Sequence, residues 1–390
     1  MAHCGNSRRT RPRLDLAAVL SRFAPPLEGL NRTRSRVLRA ITSCRTAVLG
    51  GRLHLCRDCG HEVPVYNSCR NRHCPKCQNL TRARWIEAQM RHLLPVPYFH
   101  LVFTVPDSLH PLFLRDPRQT YNLLFEAVAE TVLGVCGQQL GATPGFTAVL
   151  HTWNQRLLFH PHIHCIITGG GLSQDRQRWI ASRPNFLVSV RQLSEVFRGK
   201  LLARLEAALR AGDLHTKRSF GLAILRQTSP KWNVYSKPPM AGPEQVLRYL
   251  GRYTHRVAIG DERLVALEDG HVTFLWRDRS RGNKVRPLRI PGAAFARRFL
   301  LHALPHRFVR IRHRGLLANA VRAHRLAAAR ALLHEPAPPE PSRQPRESWK
   351  ELYIRLTGND PTRCPACGSS SFVVVAELPP CTPQPAARSP

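Results

Sequence analysis

Residues 147–168 read TAVLHTWNQRLLFHPHIHCIIT. Two β-prone stretches flank a polar turn, so the segment predicts a hairpin whose second strand covers roughly residues 162–168. Residues two apart in a strand share a face. His162 and His164 therefore project together, while Ile163, Ile166 and Ile167 supply apolar contacts. Two neutral imidazoles on a rigid strand begin a divalent-metal site that leaves positions open for substrate oxygens. Such a site needs a third ligand. Gln155 and His160 rank level for that role, and His151 is a further candidate. The run Gly169-Gly170-Gly171 reads as the turn that ends the strand.

Residues 242–259, GPEQVLRYLGRYTHRVAI, predict a helix that starts at Pro243 with an early acid, Glu244, and gives way to a strand at Val257. Tyr249 and Tyr253 lie four residues apart, one turn along the same helical face. A tyrosine hydroxyl with a pKa near ~10 is a poor nucleophile until a base, a metal or nearby cations favour the phenolate. Arg248, Arg252, Arg256 and His255 provide such cations. Either motif alone describes ordinary packing; together they describe an enzyme that cuts DNA through tyrosine.

At this point the chain resembles the two-tyrosine rolling-circle transposases of bacterial insertion sequences, members of the HUH (His-hydrophobic-His) endonuclease superfamily. The resemblance is carried by CRTAVLGG, YNSCRNRHCPKC, LLPVPYFHLVFTVP, HTWNQRLLFHPHIHCIITGGGLS, KPPMAGPEQVLRYLGRYTHRVAI and RIRHRGLLAN, which together span residues 44–319. It implies a ferredoxin-like central antiparallel sheet, a catalytic Mg²⁺ or Mn²⁺ on His162 and His164, and nucleophilic Tyr249 and Tyr253. It also implies 5′-phosphotyrosine intermediates in rolling-circle transposition. A plasmid replication initiator or relaxase would use the same chemistry for another purpose. A non-catalytic zinc-containing DNA-binding protein is the rival from a different class. A metal hydrolase is a third, but Cys165 and Ile166 stand where an HxHxDH motif needs Asp and His, and no helical HExxH occurs.

Composition points to the same partner. The 390-residue chain has a formal charge of +34, and only seven of its 59 basic residues are lysine. So large an excess is self-repelling without a polyanion, and arginine suits bidentate phosphate contact and base stacking. Nucleic acid is the expected partner: element ends, single strands and target DNA. The sequence has no apolar run of about 18 residues and no signal peptide. A cytoplasmic protein acting at the nucleoid is expected.

With no export signal, twelve cysteines argue for metal rather than disulfides. Cys56-x2-Cys59 and Cys74-x2-Cys77 have the spacing of two knuckles on one structural zinc. Cys44, His61, Cys69 and His73 remain for a second site. Cys364-x2-Cys367 supplies half a site near the C-terminus, with Cys381 a weak third ligand.

The expected fold class is α+β. Residues 1–94 form a basic arm and a helical zinc-binding module that recognises DNA, and residues 95–333 form the catalytic domain. An insertion at 172–241 carries a helix over 191–211. Residues 334–348 are a Pro-rich linker, and 349–390 a tail with CxxC. Within the insertion, Lys231 and Lys237 flank Trp232 and Tyr235 as a single-strand platform in which rings stack on bases and ammonium groups meet phosphate.

Overall fold

The computed structural model describes residues 14–240, 245–246, 251, 257–278, 281–335 and 347–381. Tyr249, Tyr253, Arg252 and Arg256 lie outside the described residues, as do the arm 1–13, most of the linker (336–346) and positions 382–390. In chain order the strands are β1 Gly51–Cys56, β2 Glu62–Tyr66, β3 Tyr98–Thr104, β4 Thr143–Trp153, β5 Phe159–Leu172, β6 Trp179–Ala181, β7 Val234–Met240, β8 Leu264–Glu268, β9 His271–Asp278, β10 Lys284–Pro291, β11 Ile311–Gly315 and β12 Phe372–Leu378. The fold is α+β with antiparallel sheets.

The expected hairpin is β4–β5, joined by the turn at Asn154–Leu158, and it forms the centre of a six-stranded sheet of order β11-β4-β5-β3-β7, with β6 on β5. Alternation decides what each face does. Phe146, Ala148, Leu150, Ile163, Cys165, Ile167, Leu101 and Phe103 bury one face under the helices Pro117–Thr131 and Val190–Ala211. Leu193, Phe197, Leu201 and Leu205 recur every four residues down the second helix and all enter this core. Each fully buried Leu or Phe contributes ~1.5–3 kcal/mol. His162, His164 and Ile166 point to the opposite face.

Residues 172–241 are therefore more than an insertion. Their helix is the second member of the layer covering the sheet, and their last strand, β7, closes its edge beside β3. An apolar stripe of that length needs a sheet face to bury it, and the sequence alone did not reveal which face was open. The glycine run is also not a terminating turn. β5 continues through it to pair with β6 (Gly170↔Ala181, Gly171↔Ile180). A Cβ on Gly171 would lie 2.5 Å from the Thr143 carbonyl, so glycine is what lets β4 approach.

Gly315, at the end of β11, has φ +63° and a hypothetical Cβ only 1.8 Å from the Pro144 carbonyl oxygen. Both the backbone conformation and the contact exclude a side chain. Gly315→Ala is expected to cost about 3 kcal/mol of stability, read as a lowered denaturant midpoint; an unchanged midpoint would contradict this packing.

The N-terminal helices Leu16–Phe23 and Arg32–Thr42 pack on the three-stranded sheet β10-β9-β8 and the helix Gly292–Leu301. Asp15 caps the first helix through the Ala18 N–H and pairs with Lys76 at 2.7 Å, while the Leu16 N–H donates to Asp261. The module and the later part of the chain thus share a core. On the histidine face, a third cluster joins Tyr98, Ile166, Leu316, Leu317 and Leu326 to fully buried Val246. Gly251 lies against the helix Pro75–Met90, where an added Cβ would meet Ile86 at 2.7 Å. No helix among the described residues is long and apolar enough to cross a membrane.

Candidate active site

β4 and β5 bring three imidazoles together. His151 is directly opposite His162 across the hairpin, and His164 follows on the same face as His162. All three are buried, and their ligand nitrogens lie within 4.8 Å of one another. The Nε2 atoms of His162 and His164 are 3.1 Å apart, matching two nitrogens at right angles on an ion ~2.1–2.2 Å away. A metal is thus compatible with the geometry, and the donors are neutral imidazoles on two hydrogen-bonded strands.

Surrounding groups fix the rings. His162 Nδ1 lies 2.6 Å from the His160 carbonyl, which can only accept, so the proton sits on Nδ1 and the Nε2 lone pair faces the site. His164 Nδ1 is 2.9 Å from His100 Nε2, and the two rings stack. Trp153 stacks on His151 with centroids 4.6 Å apart. His100, in contact with His164, is absent from the candidates that the sequence offered. Its signal was parity, since His100 falls on the alternate set of β3 positions that excludes core-forming Leu101 and Phe103.

Of the two favoured third ligands, His160 does not join the group, and Gln155 is not on either strand. Gln155 sits in the turn, where its carbonyl accepts from Arg263 at 2.6 Å. His160 contributes its carbonyl, and its half-buried ring is 5.2 Å from that of His162. Cross-strand register selects His151 instead. The proposed platform also divides. Trp232 is core, packed on Phe197 and donating its indole N–H to the Ser229 carbonyl. Lys231 is exposed in the preceding loop, whereas exposed Tyr235 and Lys237 stand opposite Val102 and His100 on the histidine face.

Below the same hairpin, buried His302 donates from Nε2 to the Leu157 carbonyl at 3.1 Å and accepts the Thr152 hydroxyl at Nδ1. Burial lowers its pKa from 6.5 to about 4, against smaller opposing effects of the Leu157 and Thr152 backbone groups. The folded state keeps it neutral while the unfolded chain takes up a proton. Its stabilisation is therefore complete above pH 6.5 and is lost as pH falls from 6.5 to about 4, by about 3 kcal/mol. His302→Gln should flatten the dependence of Tm on pH across that window; an unchanged slope would remove His302 as the cause.

The cysteines group differently from the expected single knuckle pair. Cys74 and Cys77, at the start of the helix Pro75–Met90, converge with Cys44 and Cys69, whereas Cys56 and Cys59 converge with Cys364 and Cys367. Cys77 Sγ lies 3.6 Å from Cys44 and 3.7 Å from Cys69, close to the ~3.8 Å edge of a sulfur tetrahedron about zinc. The two histidines kept for a second site fall outside both groups. His61 is exposed, and His73 is a core residue whose Nε2 accepts the Leu304 N–H at 3.2 Å. Burial holds the His73 pKa down at about 3.

Beside Cys69 opens a cleft of about 620 Å³ lined by Arg32, Arg36, Arg70, Arg72 and Arg307. A second basic hollow, with Arg118, Arg312 and Arg314, adjoins it through Arg307. Arg72 and Arg118 donate to the Phe308 and His306 carbonyls, tying 304–314 to the zinc module and to the helix Pro117–Thr131.

Comparison with known proteins agrees with this anatomy. A family model described as "Putative transposase" matches residues 145–325, which include all three histidines, and one described as "Transposase zinc-binding domain" matches residues 17–105. "Putative transposase y4qJ" of Sinorhizobium fredii is 43% identical over 89% of this chain and 90% of its own length. The transposase for insertion sequence element IS801 of Pseudomonas savastanoi pv. phaseolicola is 27% identical over 94% of this chain and 90% of its own. No solved structure matches. The chain belongs to the IS91/IS801-type transposase family. DNA is accordingly its partner, and its N-terminal region is a zinc-binding domain that contains the whole Cys44 group.

Proposed function

We propose that this transposase is an HUH-type single-strand DNA endonuclease and strand transferase that moves its insertion sequence by a rolling-circle route, with Tyr249 and Tyr253 as nucleophiles. The observation that carries the reading is the convergence of His151, His162 and His164 on the sheet face away from the two covering helices. The order β7-β3-β5-β4 with its two crossover helices supports a ferredoxin-like sheet. Val246 packs on the histidine face with Ile166. In the sequence Tyr249 and Tyr253 follow Val246 by three and seven residues, the spacing expected of one helical face.

A divalent cation on the three imidazoles would act as a Lewis acid toward the scissile phosphate. Such ligands suit Mn²⁺ better than oxygen-seeking Mg²⁺. The basic residues 248, 252 and 256 favour the phenolate of the attacking tyrosine. That oxygen forms a bond to phosphorus and the P–O3′ bond breaks; the 3′ oxygen takes up a proton, and the 5′ phosphate stays on the tyrosine. Because the ester energy is retained, a free 3′-hydroxyl can reverse the exchange and join strands without ATP. Tyr235 and Lys237 offer a ring and a charge to a single strand entering over β7, and the arginine cleft offers phosphate contacts to the element end. We place this work at the bacterial nucleoid, where the substrate is.

The test incubates the full chain with Mn²⁺ or Mg²⁺ and single-stranded DNA bearing the element's ends. A denaturant-resistant adduct whose linked peptide maps to Tyr249 or Tyr253 is expected. Tight binding without an adduct would instead favour the non-catalytic DNA-binding reading.

A further inference from the structure

The sequence contains two copies of one short pattern, CRDCG at 56–60 and CPACG at 364–368. Their backbones follow one plan. The Cys56 carbonyl accepts the Gly60 N–H and the Cys364 carbonyl accepts that of Gly368, each at 2.9 Å. Both glycines are left-handed, with φ +68° and +78°, a conformation that costs glycine least. The Cys56 N–H donates to His61 and the Cys364 N–H to Ser369, at 3.0 and 2.7 Å. Each loop is thus a knuckle that turns two sulfurs to one side.

The knuckles face each other. Cys56 Sγ lies 3.6 Å from Cys367 Sγ, and Cys59 Sγ lies 3.7 Å from Cys364 Sγ. These separations fit a tetrahedron of thiolates ~2.3 Å from zinc and exceed the ~2.05 Å of a disulfide. From the second knuckle the chain runs into β12, which lies antiparallel along β1 from Cys56↔Phe372 to Gly51↔Leu378. We infer that Cys56, Cys59, Cys364 and Cys367 bind a second zinc ion, separate from that of the Cys44 group, and that this ion is a clasp fastening residues 347–381 onto the N-terminal module.

Apart from the β1–β12 ladder and buried Leu352, side-chain packing adds little to hold the segment. Val374 and Val375 of β12 are 51% and 47% exposed, so its burial is slight. Its ion pairs, Arg52–Glu377 and Arg355–Glu87, are solvent-facing, and such pairs contribute little. The zinc-binding family match ends at residue 105, well short of the second knuckle.

Elemental analysis of the full chain should give two zinc ions per molecule. Cys364→Ser with Cys367→Ser should leave one. Two measurements need no cysteine change. Co²⁺ exchanged into the wild-type chain should give two equivalents with tetrathiolate absorption. With a protease site placed at 336–346 of the full chain, the cleaved C-terminal piece should co-elute with the remainder while metal is bound and separate after chelation. One metal per wild-type chain, two in the double variant, or a cleaved piece whose retention ignores metal would each overturn the clasp. None of these readouts depends on DNA cleavage, so they stand apart from the catalytic proposal.

Discussion

His151→Ala is expected to reduce covalent protein–DNA adduct formation by roughly 10²–10⁴-fold, as severely as His162→Ala, because a bound cation is worth several kcal/mol to the transition state. The argument is geometric. His151 stands opposite His162 and its ligand nitrogen lies within 4.8 Å of those of both other histidines, so its loss leaves two imidazoles to hold the ion. His100→Ala should be milder, about 10–100-fold, since it acts by orienting His164. Raising Mn²⁺ should restore much of the His100 loss and little of the His151 loss. Gln155→Ala and His160→Ala leave both carbonyls in place and should stay within a few-fold of wild type, since Gln155 belongs to the turn and His160 lies outside the histidine group. Adducts quantified on denaturing gels across a Mn²⁺ series decide it. Equal loss from Gln155→Ala and His151→Ala would reject the three-histidine site.

The second large effect concerns the tyrosines. Tyr249→Phe together with Tyr253→Phe is expected to abolish the adduct, since the change deletes both hydroxyls proposed to carry the 5′ phosphate. It retains both aromatic rings. The single variants should separate: one retaining first-strand cleavage and failing to join, the other failing at the start. Wild-type strand transfer by the double variant would dismiss the tyrosine assignment, whereas loss of adduct with DNA affinity unchanged would place the defect in chemistry.

The histidine strand was readable because parity is local: once 162–168 is a strand, His162 and His164 must share a face. His151 needed register, which depends on how many residues the turn consumes; β4–β5 even carries an irregularity between His151 and Trp153. Gln155 is nearer in sequence but belongs to that turn. The platform at 231–237 contained its own correction, since a strand cannot send Trp232 and Tyr235 to the same side. Cysteine partners were harder, because all three CxxC pairs have ligand spacing and Cys59 meets Cys364 across 305 residues. One local signal was present. Glycine follows Cys59 and Cys367 but not Cys77, whose pair opens a helix instead.

The pairing of β12 with β1 also sets a schedule. The ribosome delivers Cys364 305 residues after Cys59, an interval of roughly 15–60 s at ~5–20 residues per second. Throughout it one edge of β1 has no neighbour in the nascent chain and is open to wrong partners. A message broken after residue 333 but before β12 (Phe372–Leu378) yields a product with every histidine and tyrosine of the proposed site but a permanently unfinished sheet at its other end. Decayed copies of the element would then produce chains that quality control can distinguish from intact ones.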